Sequence, residues 1–272
     1  MSLVTNDEVR EIAGVGSDIT TDAVITSLIE EVEKKTNTYF NIYSTPTKVI
    51  EIVDGNNKTQ IRVNKPYIWK LLEFKTGDTD LDVSSCHINP LSGLITIDNT
   101  LTPYYLSKYK NSVKIKYLSA FMEKTNTVTE SSADVEAGTS VAIDVDDETG
   151  FSVDDWVLME GMDGNREAAK ITATASDSIT VDQLVQDHES GSVITKLSTH
   201  ELLRQFVLLE SAVSLGINSV GGSYTFATSY TMPEYSTTLG VPHPHFSKML
   251  DDLLKQRDIV KRQLYNKLNA IS

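Results

Sequence analysis

One acidic run in this sequence could in principle bind a divalent cation. Residues 144–148 read Asp-Val-Asp-Asp-Glu, which resembles the start of a calcium-binding loop. An EF-hand needs Gly at the sixth position and Glu at the twelfth, because the loop turns sharply and then closes on a bidentate carboxylate. This chain has Thr149 and Asp155 at those positions. We therefore expect a solvated acidic loop here.

Histidine and cysteine give two further candidates for chemistry. His243 and His245 could ligate a metal, but no other His or Cys is close to them in the sequence. Cys86 and His87 could form a thiol–imidazole pair, but adjacent residues of a strand point to opposite faces. The sequence contains no phosphate-binding glycine loop, dinucleotide fingerprint or nucleophile elbow. We expect no catalytic residue, no metal site and no cofactor, and interpret the chain as a structural protein rather than an enzyme.

The negative charge is concentrated in one segment. The 272 residues carry a formal charge of −14, and residues 125–197 alone have 16 acidic and 3 basic residues, a net of −13. The remainder has 22 acidic and 21 basic residues, a net of −1. This balance argues against a broad nucleic-acid-binding surface on the 125–197 segment, because phosphate contacts are made largely by Lys and Arg. We expect that segment to be the most solvent-exposed part of the protein.

Targeting signals are not expected from the sequence. The N-terminal residues are acidic and polar, without a cationic region leading into an apolar one. No apolar stretch is long enough to span a membrane. The single cysteine, Cys86, excludes an internal disulfide. These features predict a protein assembled in a cytoplasm-like compartment.

The first 124 residues predict two helices followed by strands. Thr5 and Glu8 form a capping box for a short helix that ends at Gly14, and an amphipathic helix of about 20 residues follows Thr20 or Thr21. Strands are predicted at 49–53, 60–64, 69–74, 94–97 and 112–118. The Asp54-Gly55 pair predicts a tight turn by which the first strand returns as the second.

Residues 125–197 are all-β in pattern. Five or six short strands in about 70 residues are typical of a small barrel or sandwich. We interpret this segment as an independent module inserted into a host fold.

The chain becomes helical again after the module. A helix capped by Ser198 or Thr199 has apolar residues on more than one side, which predicts burial against neighbours. We predict a subunit interface from five of its apolar residues: Leu203, Phe206, Leu209, Val213 and Ile217.

An aromatic arm and an amphipathic helix end the chain. Residues 222–245 contain one charged residue, Glu234. This arm could pack on its own subunit, but its composition favours packing on a neighbouring subunit or another partner. The helix that follows could close the chain's own bundle or bind the same partner. The predicted partner-binding residues of these two segments are Tyr224, Phe226, Tyr230, Tyr235, Phe246, Leu250, Leu253, Val260, Leu264 and Leu268.

Together these patterns predict an α+β fold. Residues 1–124 and 198–221 form a helical core with a small antiparallel sheet, and residues 125–197 form the inserted acidic β module. Residues 222–245 form an extended arm, and residues 246–272 form a long C-terminal amphipathic helix.

The host part of this pattern resembles the head-to-tail connector (adaptor) proteins of tailed bacteriophages. The resemblance covers roughly residues 3–122 and 198–220. It depends on the opening residues 3–9, the helix at 22–30, Ile-Val-Asp-Gly-Asn at 52–56, Pro-Leu-Ser-Gly-Leu-Ile-Thr-Ile at 90–97, and Val-Lys-Ile-Lys-Tyr at 113–117. Family members are usually shorter and lack a β module of this size.

The resemblance implies a ring, commonly of twelve subunits, in the neck of the virion. Such a ring docks beneath the portal protein, contacts a tail-completion or tail-side neck protein, and continues the DNA channel. Genomic DNA would pass through without sequence-specific binding, and no membrane is involved. The ring would be assembled in the host cytoplasm.

Two alternatives are open, and the first belongs to a different functional class. The protein could be a virion accessory protein that binds or hydrolyses glycans through residues 125–197, or an interior tail or baseplate subunit. The exposure of Trp156 distinguishes the glycan-binding hypothesis from the connector hypothesis. A sugar-binding platform needs an exposed aromatic face, whereas a barrel core would bury this ring.

Overall fold

The computed structural model describes most of the chain. The described residues are 3–16, 20–55, 58–83, 86–89, 91–97, 106, 109–162, 164–224, 229–232, 235–238 and 244–269. They divide into two compact units, one made of residues 1–40 and 201–272 and the other of residues 41–200. The first is the helical unit and the second the β unit, so the α+β class predicted from the sequence is confirmed.

The helical unit is built from both ends of the chain. Its helices are α1 (Asn6–Ala13), α2 (Asp22–Phe40), α3 (Glu201–Tyr224) and α4 (Pro244–Asn269). A hairpin of β14 (Ser229–Met232) and β15 (Tyr235–Thr238) lies between α3 and α4 in the sequence. The buried core joins α1, α2 and α3 through Val9, Ile25, Ile29, Val207 and Ala212.

The ends of α1 are fixed by local hydrogen bonds. The Glu8 amide donates to Thr5 Oγ1 at 3.3 Å, and the Thr5 amide donates to Glu8 Oε2 at 2.8 Å. Gly14 ends the helix with φ of 63°, a left-handed conformation that costs glycine little. The predicted capping box and the predicted stop are both confirmed.

The N-terminal half of the β unit holds two small antiparallel sheets. One has the order β1-β7-β3-β4 and the other β2-β6-β5. The strands are β1 (Thr47–Val53), β2 (Gln60–Arg62), β3 (Ile68–Thr76), β4 (Thr79–Leu81), β5 (Cys86–Asn89), β6 (Leu94–Ile97) and β7 (Val113–Ser119). Val113, Ile115 and Tyr117 of β7 are buried and alternate with half-buried Lys114 and Lys116, as their spacing predicts.

The predicted hairpin between β1 and β2 is wrong. β1 pairs along its whole length with β7, from Thr47 opposite Ser119 to Val53 opposite Val113, and β2 pairs with β6. The seven-residue β7 gives β1 a longer ladder than the three-residue β2 can offer. Burial of alternate side chains along that ladder therefore outweighs the local turn preference of Asp54-Gly55.

The C-terminal half of the β unit is a six-stranded antiparallel sheet with the order β8-β13-β10-β11-β12-β9. Its strands are β8 (Met122–Glu130), β9 (Gly138–Asp144), β10 (Trp156–Glu160), β11 (Arg166–Ala175), β12 (Ser178–Leu184) and β13 (Val193–Thr199). The sheet has its own apolar core, which includes Ile143, Phe151, Val157, Ile179 and Ile194. It begins at Met122 and ends at Thr199, slightly outside the boundaries predicted for the inserted module.

Candidate functional site

Four of the five predicted subunit-interface residues are used inside the chain. Leu203, Phe206, Leu209 and Val213 are buried in the helical unit, and the Phe206 ring meets Phe40 edge-to-face at a centroid distance of 5.5 Å. Packing within the chain therefore covers most of the surface of these four side chains. Ile217 is different, since it is 50% exposed.

The predicted partner-binding residues of α4 also pack within the helical unit. Leu253, Val260 and Leu264 are buried, and Leu250 and Leu268 are half-buried. Polar contacts reinforce this packing. Arg257 Nη1 lies 3.4 Å from Glu210 Oε2 of α3, and Lys261 Nζ lies 4.7 Å from the centroid of the Tyr39 ring of α2. The terminal helix therefore closes its own bundle, which is one of the two roles its sequence allows.

The remaining partner-binding predictions lie where side chains are not described. Tyr224 ends α3, Tyr230 belongs to β14 and Tyr235 to β15. Phe246 and His245 lie in α4. Phe226 and His243 lie outside the described residues.

The helical unit leaves an apolar groove open between α1, α3 and α4. The groove has a volume of about 310 Å³ and is lined by Ile12, Leu208, Leu209, Ile259, Val260, Gln205 and Gln256. Ile259 is substantially exposed beside it. The sequence prediction missed this residue because the helical stripe was drawn through its neighbour Val260.

A second exposed surface lies on the outer face of the four-stranded sheet. β1 is an edge strand, and its Ile50 and Ile52 are 58% and 61% exposed. They stand opposite Lys116 and Lys114 of β7. We call this surface the lysine–isoleucine face; it consists of Lys48, Ile50, Ile52, Lys75, Lys114 and Lys116.

The lysines of this face share a small number of carboxylates. Lys114 Nζ lies 2.8 Å from Glu73 Oε1, Lys116 Nζ lies 3.5 Å from Glu73 Oε2, and Lys75 Nζ lies 2.8 Å from Asp80 Oδ1. The hydrogen bond from Lys114, with the charges of the neighbouring lysines, holds the pKa of Glu73 below its ordinary value. The face therefore carries more positive than negative charge. Its signal in the sequence is the Val-Lys-Ile-Lys-Tyr alternation.

A cluster of acidic residues lies at one end of the six-stranded sheet. The Asp146 amide donates a hydrogen bond to the Glu130 carbonyl, and the Val145 amide donates one to the Asp177 carbonyl. The Asp177 amide donates to Glu148 Oε2 at 3.2 Å. We call this cluster the acidic end; its members are Glu130, Asp144, Asp146, Asp147, Glu148 and Asp177. Asp144, Asp146 and Asp147 are exposed, as the solvated-loop reading of 144–148 predicts. Within the described residues, no group of three or more His, Cys, Asp or Glu is arranged to hold a metal ion.

A buried charged cluster joins the two halves of the β unit. Lys70 of β3, Glu167 of β11 and His188 are each 2% exposed. Lys70 Nζ lies 3.2 Å from Glu167 Oε2 and also donates to the Gln183 carbonyl. His188 Nε2 lies 3.3 Å from Glu167 Oε1. No sequence pattern singled out these residues, because their partnership arises only when β3 meets β11.

The Glu167 carboxylate is held ionised by its surroundings. Burial alone would raise its pKa, but the hydrogen bond from His188, the charge of Lys70 and the amides of Val185 and Gln186 together hold the pKa below its ordinary value. The Gln186 amide donates at 2.8 Å. A carboxylate held in this way is a poor general acid, so the arrangement favours a structural joint.

A cavity of about 210 Å³ lies beside this joint. Its lining includes Trp69, Cys86, His87, Arg166 and Gln186. The Arg166 guanidinium lies 5.9 Å from the centroid of the Trp69 ring and covers it. Cys86 is buried while His87 is exposed, so the two adjacent side chains point to opposite faces as predicted.

Trp156 does not stand free of the protein. It is half-buried and packs against an apolar cluster that includes Trp69, Ala120 and Leu158. Part of the Trp156 ring is therefore buried in the protein's own core.

The comparisons with known proteins leave the function to be argued from these surfaces. No protein-family model matches this chain. No curated protein matches its sequence. Within the described residues, none of the helices is both long enough and apolar enough to cross a membrane.

Proposed function

We propose that this chain is a structural virion protein of a tailed bacteriophage, a connector that forms a ring between the portal and the tail. The order of its elements and the residues quoted above for the connector family support this proposal. In this role the chain has no catalytic residues. Its partners are further copies of itself, the portal protein and a protein on the tail side.

The apolar groove of the helical unit is the observation that carries the proposal. An open groove lined by Ile12, Leu208 and Ile259 suits a protein partner that inserts an apolar helix face or segment. α4, for which the sequence allows either closure of its own bundle or partner binding, contributes Ile259 and Val260 to this groove. We therefore propose that the portal contact lies here, centred on the exposed Ile259.

The six-stranded sheet is best understood as an inserted barrel. Beyond the ends of its two outer strands, Ser131 and Val145 form an antiparallel bridge, which brings β8 towards β9. Full closure of a sheet removes free strand edges, and this bridge joins the two outer strands at one end. The module would then be an outward decoration of the ring or its contact with the next tail component.

The charge of the 125–197 segment argues against adhesion of DNA to this module. Carboxylates repel phosphate over a Debye length of about 8 Å at physiological salt, so DNA that passes an acidic surface does not adhere to it. The segment 125–197 carries 16 acidic residues against 3 basic ones.

The glycan-binding alternative receives no specific support. A sugar platform needs a free aromatic face, but Trp156 packs against the protein's own apolar cluster and Arg166 covers Trp69.

Imaging of intact particles tests the proposed function. We expect this chain to form a ring between portal and tail, and density elsewhere in the particle, or none, would contradict the proposal. In a companion pull-down with the assembled portal, Ile259→Ser should reduce capture about tenfold, since loss of a buried apolar anchor costs more than 1 kcal/mol. Val24→Ser, also at an exposed apolar position of the helical unit, is the matched control and should bind normally.

A further inference from the structure

The edge strand β1 leaves an apolar strip open to solvent. Ile50 and Ile52 are adjacent on one face and more than half exposed. Exposed apolar edge strands promote unwanted pairing, and native proteins normally cover them or protect them. Paired apolar residues ringed by charge are typical of a protein interaction surface.

We propose that the lysine–isoleucine face binds the acidic end of a second copy of this chain. The inference rests on the proposed function, since it names the contact by which subunits of the ring would join. Lys48, Lys114 and Lys116 lie beside the two isoleucines, and Lys75 lies opposite Lys114 on β3. The carboxylates that pair with the lysines of this face are Glu73 and Asp80. Residues 41–124 as a whole contain 11 basic and 8 acidic residues, so the surplus is positive.

The acidic end has the complementary charge. Within the described residues, none of its six carboxylates forms an ion pair with a lysine or arginine of the same chain. The segment that holds them carries a net charge of −13. An opposite charge supplied by a second copy would satisfy both surfaces.

The geometry of such a contact favours an assembly that repeats. The two surfaces are different patches of one unit, so each copy would offer one patch and receive the other. A heterologous contact of this kind generates a ring when the rotation closes and a filament when it does not. The isoleucines would supply apolar burial, and the charges would set the register and make the association sensitive to salt.

Sedimentation velocity of the full chain, over a range of protein and salt concentrations, tests the inference. Lys48→Glu with Lys116→Glu reverses the face but leaves Lys75 and Lys114 to hold Glu73. Asp144→Lys with Asp146→Lys reduces the charge of the six carboxylates of the acidic end from −6 to −2. Each pair of changes should weaken self-association about tenfold or more at low salt. The chain with all four changes should recover part of this loss, because the two new lysines can pair with the two new glutamates.

Matched controls separate this contact from general charge and hydrophobicity effects. Lys58→Glu with Lys110→Glu changes the net charge equally, at exposed lysines outside the face, and should leave self-association unchanged. Ile50→Thr with Ile52→Thr should weaken it at all salt concentrations. Val24→Thr, at a similarly exposed residue of α2, should not. Circular dichroism confirms that each variant is folded.

Several results would overturn the inference. The first is a wild-type chain that stays monomeric at all protein and salt concentrations tested. The second is unchanged self-association in the charge variants or the isoleucine variant. The third is a four-change chain that associates no more strongly than the two charge variants. Loss of duplex-DNA binding in the Lys48/Lys116 variant with unchanged self-association would assign the face to DNA instead. The particle imaging that tests the connector role is independent, so either proposal can fail while the other stands.

Discussion

At the scale of single residues, the buried ion pair between β3 and β11 requires two charges to be removed from water. Lys70 and Glu167 are both almost fully buried. Their mutual attraction has to offset the free-energy cost of this desolvation. The amides of Val185 and Gln186 help by donating to the carboxylate. In such a pair, removing one charge leaves the other buried without a partner.

Lys70→Met should therefore destabilise the protein by about 3–5 kcal/mol, because Glu167 would be left as an uncompensated buried charge. Urea unfolding followed by tryptophan fluorescence measures the change. Adding Glu167→Leu to the Lys70→Met variant should recover much of the loss, since the unpaired charge is then removed.

The control for this experiment lies on the same strand. Lys75 is more exposed and pairs with surface carboxylates, so Lys75→Met should cost less than about 1 kcal/mol. Equal losses for Lys70→Met and Lys75→Met would show that the buried pair is not a stabilising joint.

At the scale of elements, α4 has a structural role that its position after an aromatic arm does not reveal. Its buried stripe packs in the helical unit, and the side that remains available to a partner carries Ile259. The helix can therefore hold the unit together with one face and bind a neighbour with another.

Leu264→Ala should lower the free energy of unfolding by about 2–5 kcal/mol, the usual cost of a cavity at a fully buried leucine. The adjacent Tyr265 is 56% exposed, so Tyr265→Ala should change the stability by less than about 0.5 kcal/mol. Thermal unfolding followed by circular dichroism at the helix band compares the two. Similar values for both would mean that α4 does not pack in solution as it does here.

At the scale of the whole molecule, the β unit has the properties of a self-contained fold. Three apolar clusters of the described residues lie entirely between residues 41 and 200. Trp69 and Ala120 pack in one cluster with Leu158 and Leu197 of the six-stranded sheet. Deleting residues 125–197 would therefore uncover that cluster and leave Lys70 without Glu167.

Residues 41–200 produced alone should fold cooperatively and keep the strand pairing seen in the full chain. Hydrogen exchange measured by nuclear magnetic resonance should show protected amides in both β3 and β11. The same fragment without residues 125–197 should lose this protection in β3. A fragment 41–200 without protected amides would contradict the division of the chain into two units.

The sequence by itself determines the local features of this protein. The capping box at Thr5 and Glu8, the stop at Gly14 and the alternation of Val113, Ile115 and Tyr117 are set by hydrogen bonds and side-chain periodicity within a few residues. The concentration of acidic charge in residues 125–197 is likewise a property of the sequence alone.

Only the tertiary structure decides which distant residues become partners. It pairs β1 with β7 instead of β2, buries Leu203 and Val213 inside their own unit, and brings Lys70 to Glu167. It also leaves Ile50 and Ile52 on an open edge. The physical reason is that strand partners and buried faces are selected by the total apolar area and ion pairing of the folded unit, which no short stretch of sequence encodes.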